Sequence, residues 1–137
     1  MVWGGCKNYL GNSKSCDHNW IIYPGLEKRS AGGHRCQTDD NGVFANQYYH
    51  NNTCLTSDGK FLDFSGCKAP QSNIDQHVYH TEYNTYLAPN STFVEDSCGG
   101  LSLKQWQALG QDHGSTTGPV PSVDGVISMA KAKLGMA

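Results

Sequence analysis

Two stretches of the chain carry one pattern. NTCLTSDGKFLDFSGC begins at position 52 and NTYLAPNSTFVEDSCG at position 84, an offset of 32 residues. Asn52, Thr53, Leu55 and Phe61 recur as Asn84, Thr85, Leu87 and Phe93. Leu62 answers Val94, and Asp63 answers Glu95. Self-similarity at such a period marks a stacked repeat, whose units hold strands too short to bury a core alone. Stacking buries a continuous core, and the terminal units become caps. Asn at one place in successive units is expected at a turn, where stacked Asn side chains hydrogen-bond along the stack. Leu and Phe at matching places are then inward residues. The competing architecture is a disulfide-linked β-sandwich.

The rest of the chain agrees with short strands. WIIYPG at 20–25 reads as a strand ended by a Pro-Gly turn. VFANQYYHNNTCL at 43–55 holds two short strands, and KFLDF at 60–64 alternates as a strand does. HVYHTEYNTYL at 77–87, a turn at APNS and TFVED at 92–96 resume the pattern. Residues 1–19 read as a stapled loop, and 26–42 as a charged, Gly-rich loop. The texture changes after residue 100. Ser102 and Gln105 form a capping box, and Gly110 is placed to end the helix. QDHGSTTGPVPS reads as a polar loop. Ser122 or Asp124 then caps a second helix with Val126, Ile127, Ala130 and Leu134 on one face, stopped at Gly135. The chain divides into strand repeats over 1–100 and a cap of two short helices over 101–137.

Six cysteines, Cys6, Cys16, Cys36, Cys54, Cys67 and Cys98, are well spread, with no C-x-x-C pair to suggest structural zinc. They fit a disulfide framework in an oxidising compartment, with 15 pairings open. Sequons at Asn51 and Asn90 predict N-glycosylation of a secreted protein. The first twenty residues contain no apolar signal-peptide run, which leaves a removed signal or the end of a longer chain, the second being favoured. A net charge of −2 gives no footprint for nucleic acid, and no apolar run is long enough to span a membrane. Charged residues are only 16% and the remainder is polar and Tyr-rich, which suits a neutral partner such as a carbohydrate.

NNTCL, EYNTYLAPNSTF and LSLKQWQALGQDHGST together resemble the C-terminal part of secreted right-handed parallel β-helix proteins, the pectate-lyase-like superfamily. In the closing segment, Ser102 to Ser115, the matching positions are Trp106, Gln107, Gly110, Asp112 and Ser115. The resemblance covers about residues 45–118. It implies an all-β right-handed parallel β-helix fragment of about three coils, disulfide-stabilised, with a short helical C-terminal cap. It also implies that further coils lie upstream, or that the open end stacks on another copy or on a larger β-helix chain.

Catalytic candidates are few. GGHRCQTDDNG gathers His34, Arg35, Asp39 and Asp40. Hydrolases of the superfamily use clustered Asp with G-H-G and R-I-K motifs, and this chain has neither motif. Adjacent strand residues also point to opposite faces, so Asp39 and Asp40 do not both face one sugar. Lyases of the superfamily hold Ca²⁺ on an Asp cluster. Asp58, Asp63, Glu82, Glu95 and Asp96 are scattered, so the expectation is no cofactor, with calcium left open. His50, His77 and His80 are read as polar surface groups rather than metal ligands, and Trp106 as a plug over the last coil. Of the tyrosines at 48, 49, 79, 83 and 86, Tyr48, Tyr49 and Tyr83 are expected to contact carbohydrate.

The expected function is an extracellular structural or carbohydrate-associated module, N-glycosylated and non-catalytic by itself. The alternatives are the C-terminal portion of a polysaccharide lyase or glycoside hydrolase, and a disulfide-rich subunit of an extracellular assembly. Whether the chain is an enzyme stays open.

Overall fold

A computed structural model describes residues 6–8, 14–22, 35–39, 47–64, 79–95 and 99–136. In chain order the strands are β1 (Cys6–Asn8), β2 (Lys14–Asp17), β3 (Trp20–Ile22), β4 (Gln37–Asp39), β5 (Gln47–His50) and β6 (Thr53–Leu55). They continue as β7 (Lys60–Phe64), β8 (Tyr79–Glu82), β9 (Thr85–Leu87), β10 (Val94–Glu95) and β11 (Thr116–Gly118). They form three sheets, ordered β1-β4-β7-β10, β2-β5-β8 and β3-β6-β9-β11. The strand pairs are parallel. Parallel neighbours cannot be joined by hairpins, so each partner comes from the next repeat rather than the next strand. The chain visits the three sheets in turn and then returns to the first.

The sequence repeat is a real register. Thr53 pairs with Thr85, Cys54 with Tyr86 and Leu55 with Leu87. The match breaks after the turn. Val94 pairs with Lys60 and Glu95 with Leu62, with an irregularity between them, so the expected Leu62–Val94 and Asp63–Glu95 matches do not hold. The two repeats turn differently before this strand, the second through a 3-10 turn at Pro89–Ser91. Phe61 and Phe93 still meet, their rings stacked at 5.5 Å.

The core lies between the sheets. Ile21, Cys54 and Tyr86 occupy one inward row of the third sheet, and all are buried. Phe61, Tyr86 and Phe93 form an aromatic triangle with centroids 4.8–5.5 Å apart. Such pairs add about 1 kcal/mol each beyond burial. Cys36, just before β4, is bonded to Cys54 in β6, tying the first sheet to the third across the core. Its Cα–Cα distance is 6.1 Å. Cys16 is also disulfide-bonded. Cys67 and Cys98 lie outside the described residues, and of Cys6 only the backbone is described.

Helix α1 (Leu103–Ala108) starts at Ser102, and the capping box is complete: Ser102 accepts from the Gln105 N–H, and the Gln105 side chain accepts from the Ser102 N–H. Trp106 is fully buried against the aromatic core. Helix α2 (Val123–Lys133) is capped by Ser122 and followed by Gly135 at φ 67°. Its expected apolar face is covered only in part: Val126 and Ala130 are half-buried, and Ile127 and Leu134 are exposed. Among the described residues no helix is long and apolar enough to cross a membrane.

The segments read as loops contain strands β1, β2 and β4. Their sequences, CKN, KSCD and QTD, are polar and carry no alternation; pairing with neighbouring repeats makes them strands. The polar loop after α1 likewise contains β11, which extends the third sheet beyond residue 100.

Candidate functional site

The sharpest geometry lies at the corner between the second and third sheets. Each repeat turns there through one residue in the left-handed region: His18, Asn51, Tyr83 and Gly114, with φ of 56°, 54°, 52° and 69°. The residue after the turn is Asn19, Asn52, Asn84 or Ser115. These four form a hydrogen-bonded column. The Asn19 N–H donates to Asn52 Oδ1, and the Asn52 N–H to Asn84 Oδ1, each at 2.9 Å. The Asn84 N–H then donates to Ser115 Oγ at 2.7 Å. The spacings are 33, 32 and 31 residues. Asn52 Nδ2 also donates to the carbonyls of His50, just before its own turn, and of Cys16 in the preceding repeat. Buried polar groups must be paired, and Asn, with both donors and an acceptor, pairs up and down the column together.

The column ends on Asp112. This fully buried carboxylate accepts from Ser115 Oγ at 2.6 Å, Asn84 Nδ2 at 3.0 Å and the Tyr86 hydroxyl at 3.0 Å. Burial pushes its carboxyl above the usual range, while these hydrogen bonds pull it back. Burial, with the Asp112 charge adding, also pushes the Tyr49 and Tyr86 hydroxyls well up. Gln107 Nε2 donates to the carbonyls of Asp112 and Ser115, clamping the closing loop to α1. Gln111 Oε1 accepts from the Thr81 N–H. Ser115 and Asp112 thus tie the segment after residue 100 to Asn84, and Gln107 ties that segment to α1.

Outside this column, the second sheet presents a polar and aromatic face. The rows run Ser15–Tyr48–His80 and Asp17–His50–Glu82, and Glu82 continues to His113. Tyr48 is 40% exposed, and its ring stacks on His80 at 4.5 Å with 11° between planes. His50 Nε2 lies 3.2 Å from Ser15 Oγ. His18 Nδ1 lies 3.0 Å from Asp17, and this hydrogen bond holds the Asp17 carboxyl below its ordinary value. Tyr83 is 51% exposed, with His113 edge-on at 5.7 Å.

The expected site residues separate. Tyr48 and Tyr83 are exposed, but Tyr49 is 0% exposed and turned into the core, so it is withdrawn as a carbohydrate contact. Alternation along β5 forces this, because neighbours Tyr48 and Tyr49 take opposite faces. Arg35 pairs with Asp58 at 3.3 Å, across the turn before β7. Asp39 lies in β4, its backbone in register with Asn8 and Phe64. His34, Asp40 and His77 lie outside the described residues. Among the described residues no group of three or more His, Cys, Asp or Glu is placed to hold a metal ion. Asn51 and Asn90 are both exposed, each with positive φ.

The sequence reading missed the first and last members of the column. Their signal is a short corner motif, DHNW, HNNT, EYNT and HGST, of which only the middle two are similar enough to be seen directly. No protein-family model, curated protein or solved structure matches this chain.

Proposed function

We propose that the three parallel sheets are the faces of a right-handed parallel β-helix of the pectate-lyase-like kind. The chain is an extracellular, carbohydrate-associated module, non-catalytic by itself and N-glycosylated at Asn51 and Asn90. The observation that carries the binding reading is the Tyr48–His80 stack. It is an exposed aromatic surface on a sheet whose register is fixed by the asparagine column. A tyrosine ring lies flat against the apolar face of a sugar while neighbouring polar groups bond its hydroxyls. Ser15 in the same row, and His50 and Glu82 in the next row of that face, supply such groups. The low charge of the chain suits a neutral polysaccharide.

The test is affinity gel electrophoresis against a panel of neutral soluble polysaccharides. At least one should retard the protein, and Tyr48→Ala should weaken that binding by about fivefold. Retardation by none of them, or an unchanged Tyr48→Ala variant, overturns the binding site.

A second reading, the C-terminal portion of a polysaccharide lyase or glycoside hydrolase, is supported by the closing segment. Gln107, Asp112 and Ser115 make hydrogen bonds there that hold the segment together, and the Asp112 carboxylate accepts from Asn84 in the repeat before it.

A further inference from the structure

Helix α2 carries an apolar seam that the rest of the described chain leaves largely exposed. Val123, Ile127, Ala130 and Leu134 recur in steps of four, three and four residues, the a and d spacing of a coiled coil. At about 100° per residue, Val123, Ile127 and Leu134 fall within about 40° of one another around the helix. Each is at least 48% exposed, with small, half-buried Ala130 beside them. Gly125, Val126 and Met129, on the adjoining side, are half-buried. Asp124 and Lys131 flank the seam, both exposed and each one place after a seam residue. Among the described residues neither has an ion-pair partner, and the hydrogen bonds of α2 and its caps stay within 122–136.

From this pattern we infer that α2 is a self-association seam, which pairs antiparallel with α2 of a second copy of the chain. The charges choose the partner and the direction. In an antiparallel pair each flank meets the same flank of the other helix, so Asp124 of one copy faces Lys131 of the other, and the contact occurs twice about the two-fold axis. In a parallel pair Lys131 would face Val126, and no acid–base match forms. The seam is self-complementary in the antiparallel register. Val123 meets Leu134, and Ile127 meets Ala130, a large side chain against a small one. Antiparallel pairing also lays the helix end that carries Asp124 beside the end that carries Lys131 and Lys133, so the opposed macrodipoles attract. A helix of 11 residues is about 16 Å long, too short to bury about 1,200 Å² with its twin. The pairing is therefore weak and concentration-dependent, with a dissociation constant on the order of 100 µM. It does not depend on what the second sheet binds.

The experiment is sedimentation equilibrium of the full chain from about 10 µM to about 1 mM. The average mass should rise from one chain toward two across that range. Ile127→Asp, a change at an exposed position, should weaken association more than about 30-fold, since both copies lose the contact. Asp124→Lys and Lys131→Asp should each weaken it by about fivefold. An equal mixture of these two variants should associate at least as tightly as the parent, because each Lys then faces an Asp. A parallel pair gives no such rescue. Circular dichroism of the dilute variants should match that of the parent. A chain that stays monomeric at about 1 mM overturns the inference. If that monomer sediments with vesicles of phosphatidylcholine and phosphatidylserine, the face belongs to a lipid surface instead. Association that Ile127→Asp leaves unchanged overturns the inference too and places the contact on another surface. So does a mixture that associates no better than its two components.

Discussion

Asn52 and Asn84 are joined twice. The Asn52 N–H donates to Asn84 Oδ1 at 2.9 Å, and Asn52 Nδ2 reaches the same oxygen at 3.3 Å. Both residues are about 1% exposed. Asn52→Ala removes the acceptor for the Asn19 N–H and the donor to two carbonyls. It should destabilise the protein by about 3 kcal/mol, since each buried group left unpaired costs about 1–3 kcal/mol. Asn19→Ala, at the half-buried end of the column, should cost about 1 kcal/mol. Urea denaturation of both variants checks the order.

Asp112 sets a pH dependence. Burial raises its carboxyl above the ordinary value of 3.8. The folded state therefore holds this proton to higher pH than the unfolded chain does. Stability from this group is fully present below 3.8 and is lost as pH rises through the raised folded value. Asp17, held low by His18, acts with the opposite sign, but it is exposed and common to both proteins being compared. The difference in stability between the wild type and Asp112→Asn should thus shift toward the wild type as pH falls toward 3.8. Denaturation curves across acidic pH read it directly.

Gly114 has φ of 69°, and any Cβ there meets the Tyr83 ring. Gly114→Ala should cost about 2 kcal/mol from backbone strain and overlap together. Adding Tyr83→Ala removes the overlap and should recover part of the loss, leaving the strain. Thermal melting of the two single variants and the double variant separates the contributions.

The Cys36–Cys54 bond closes a span of 18 residues. Its loss in the Cys36→Ser, Cys54→Ser pair should cost about 3 kcal/mol. With all six cysteines paired, the unreduced, denatured protein should release no signal with a thiol reagent. A titratable thiol would show that the framework is incomplete.

The repeat was legible because Asn52 and Asn84, with Thr and Leu behind them, carry both the corner turn and the first inward contacts. The capping box at Ser102 and Gln105 and the helix at Ser122 were legible because caps are local chemistry. The outer members, His18-Asn19 and Gly114-Ser115, were not seen. Any residue that tolerates a left-handed turn serves at the corner, and Ser replaces Asn at the end of the column, where one hydroxyl accepts from the Asn84 N–H and donates to Asp112. Strands β1, β2 and β4 were hidden because their pairing comes from repeats about thirty residues away, not from local alternation. The burial of Asp112 was hidden too: the side chains that donate to it, Asn84, Tyr86 and Ser115 among them, are brought together only by the fold. Tyr49 was misjudged because a run of two tyrosines does not say which one faces inward.

Amide hydrogen exchange tests the asparagine column most directly. The Asn52 N–H bonds to a side chain in the next repeat, not to a carbonyl of its own strand. It should exchange as slowly as the core strand amides, and Asn84→Ala should speed exchange at Asn52 far more than at Leu55 in the neighbouring strand. Fast exchange at Asn52 in the wild type, or equal acceleration at both positions, would contradict the column and the stacked architecture built on it.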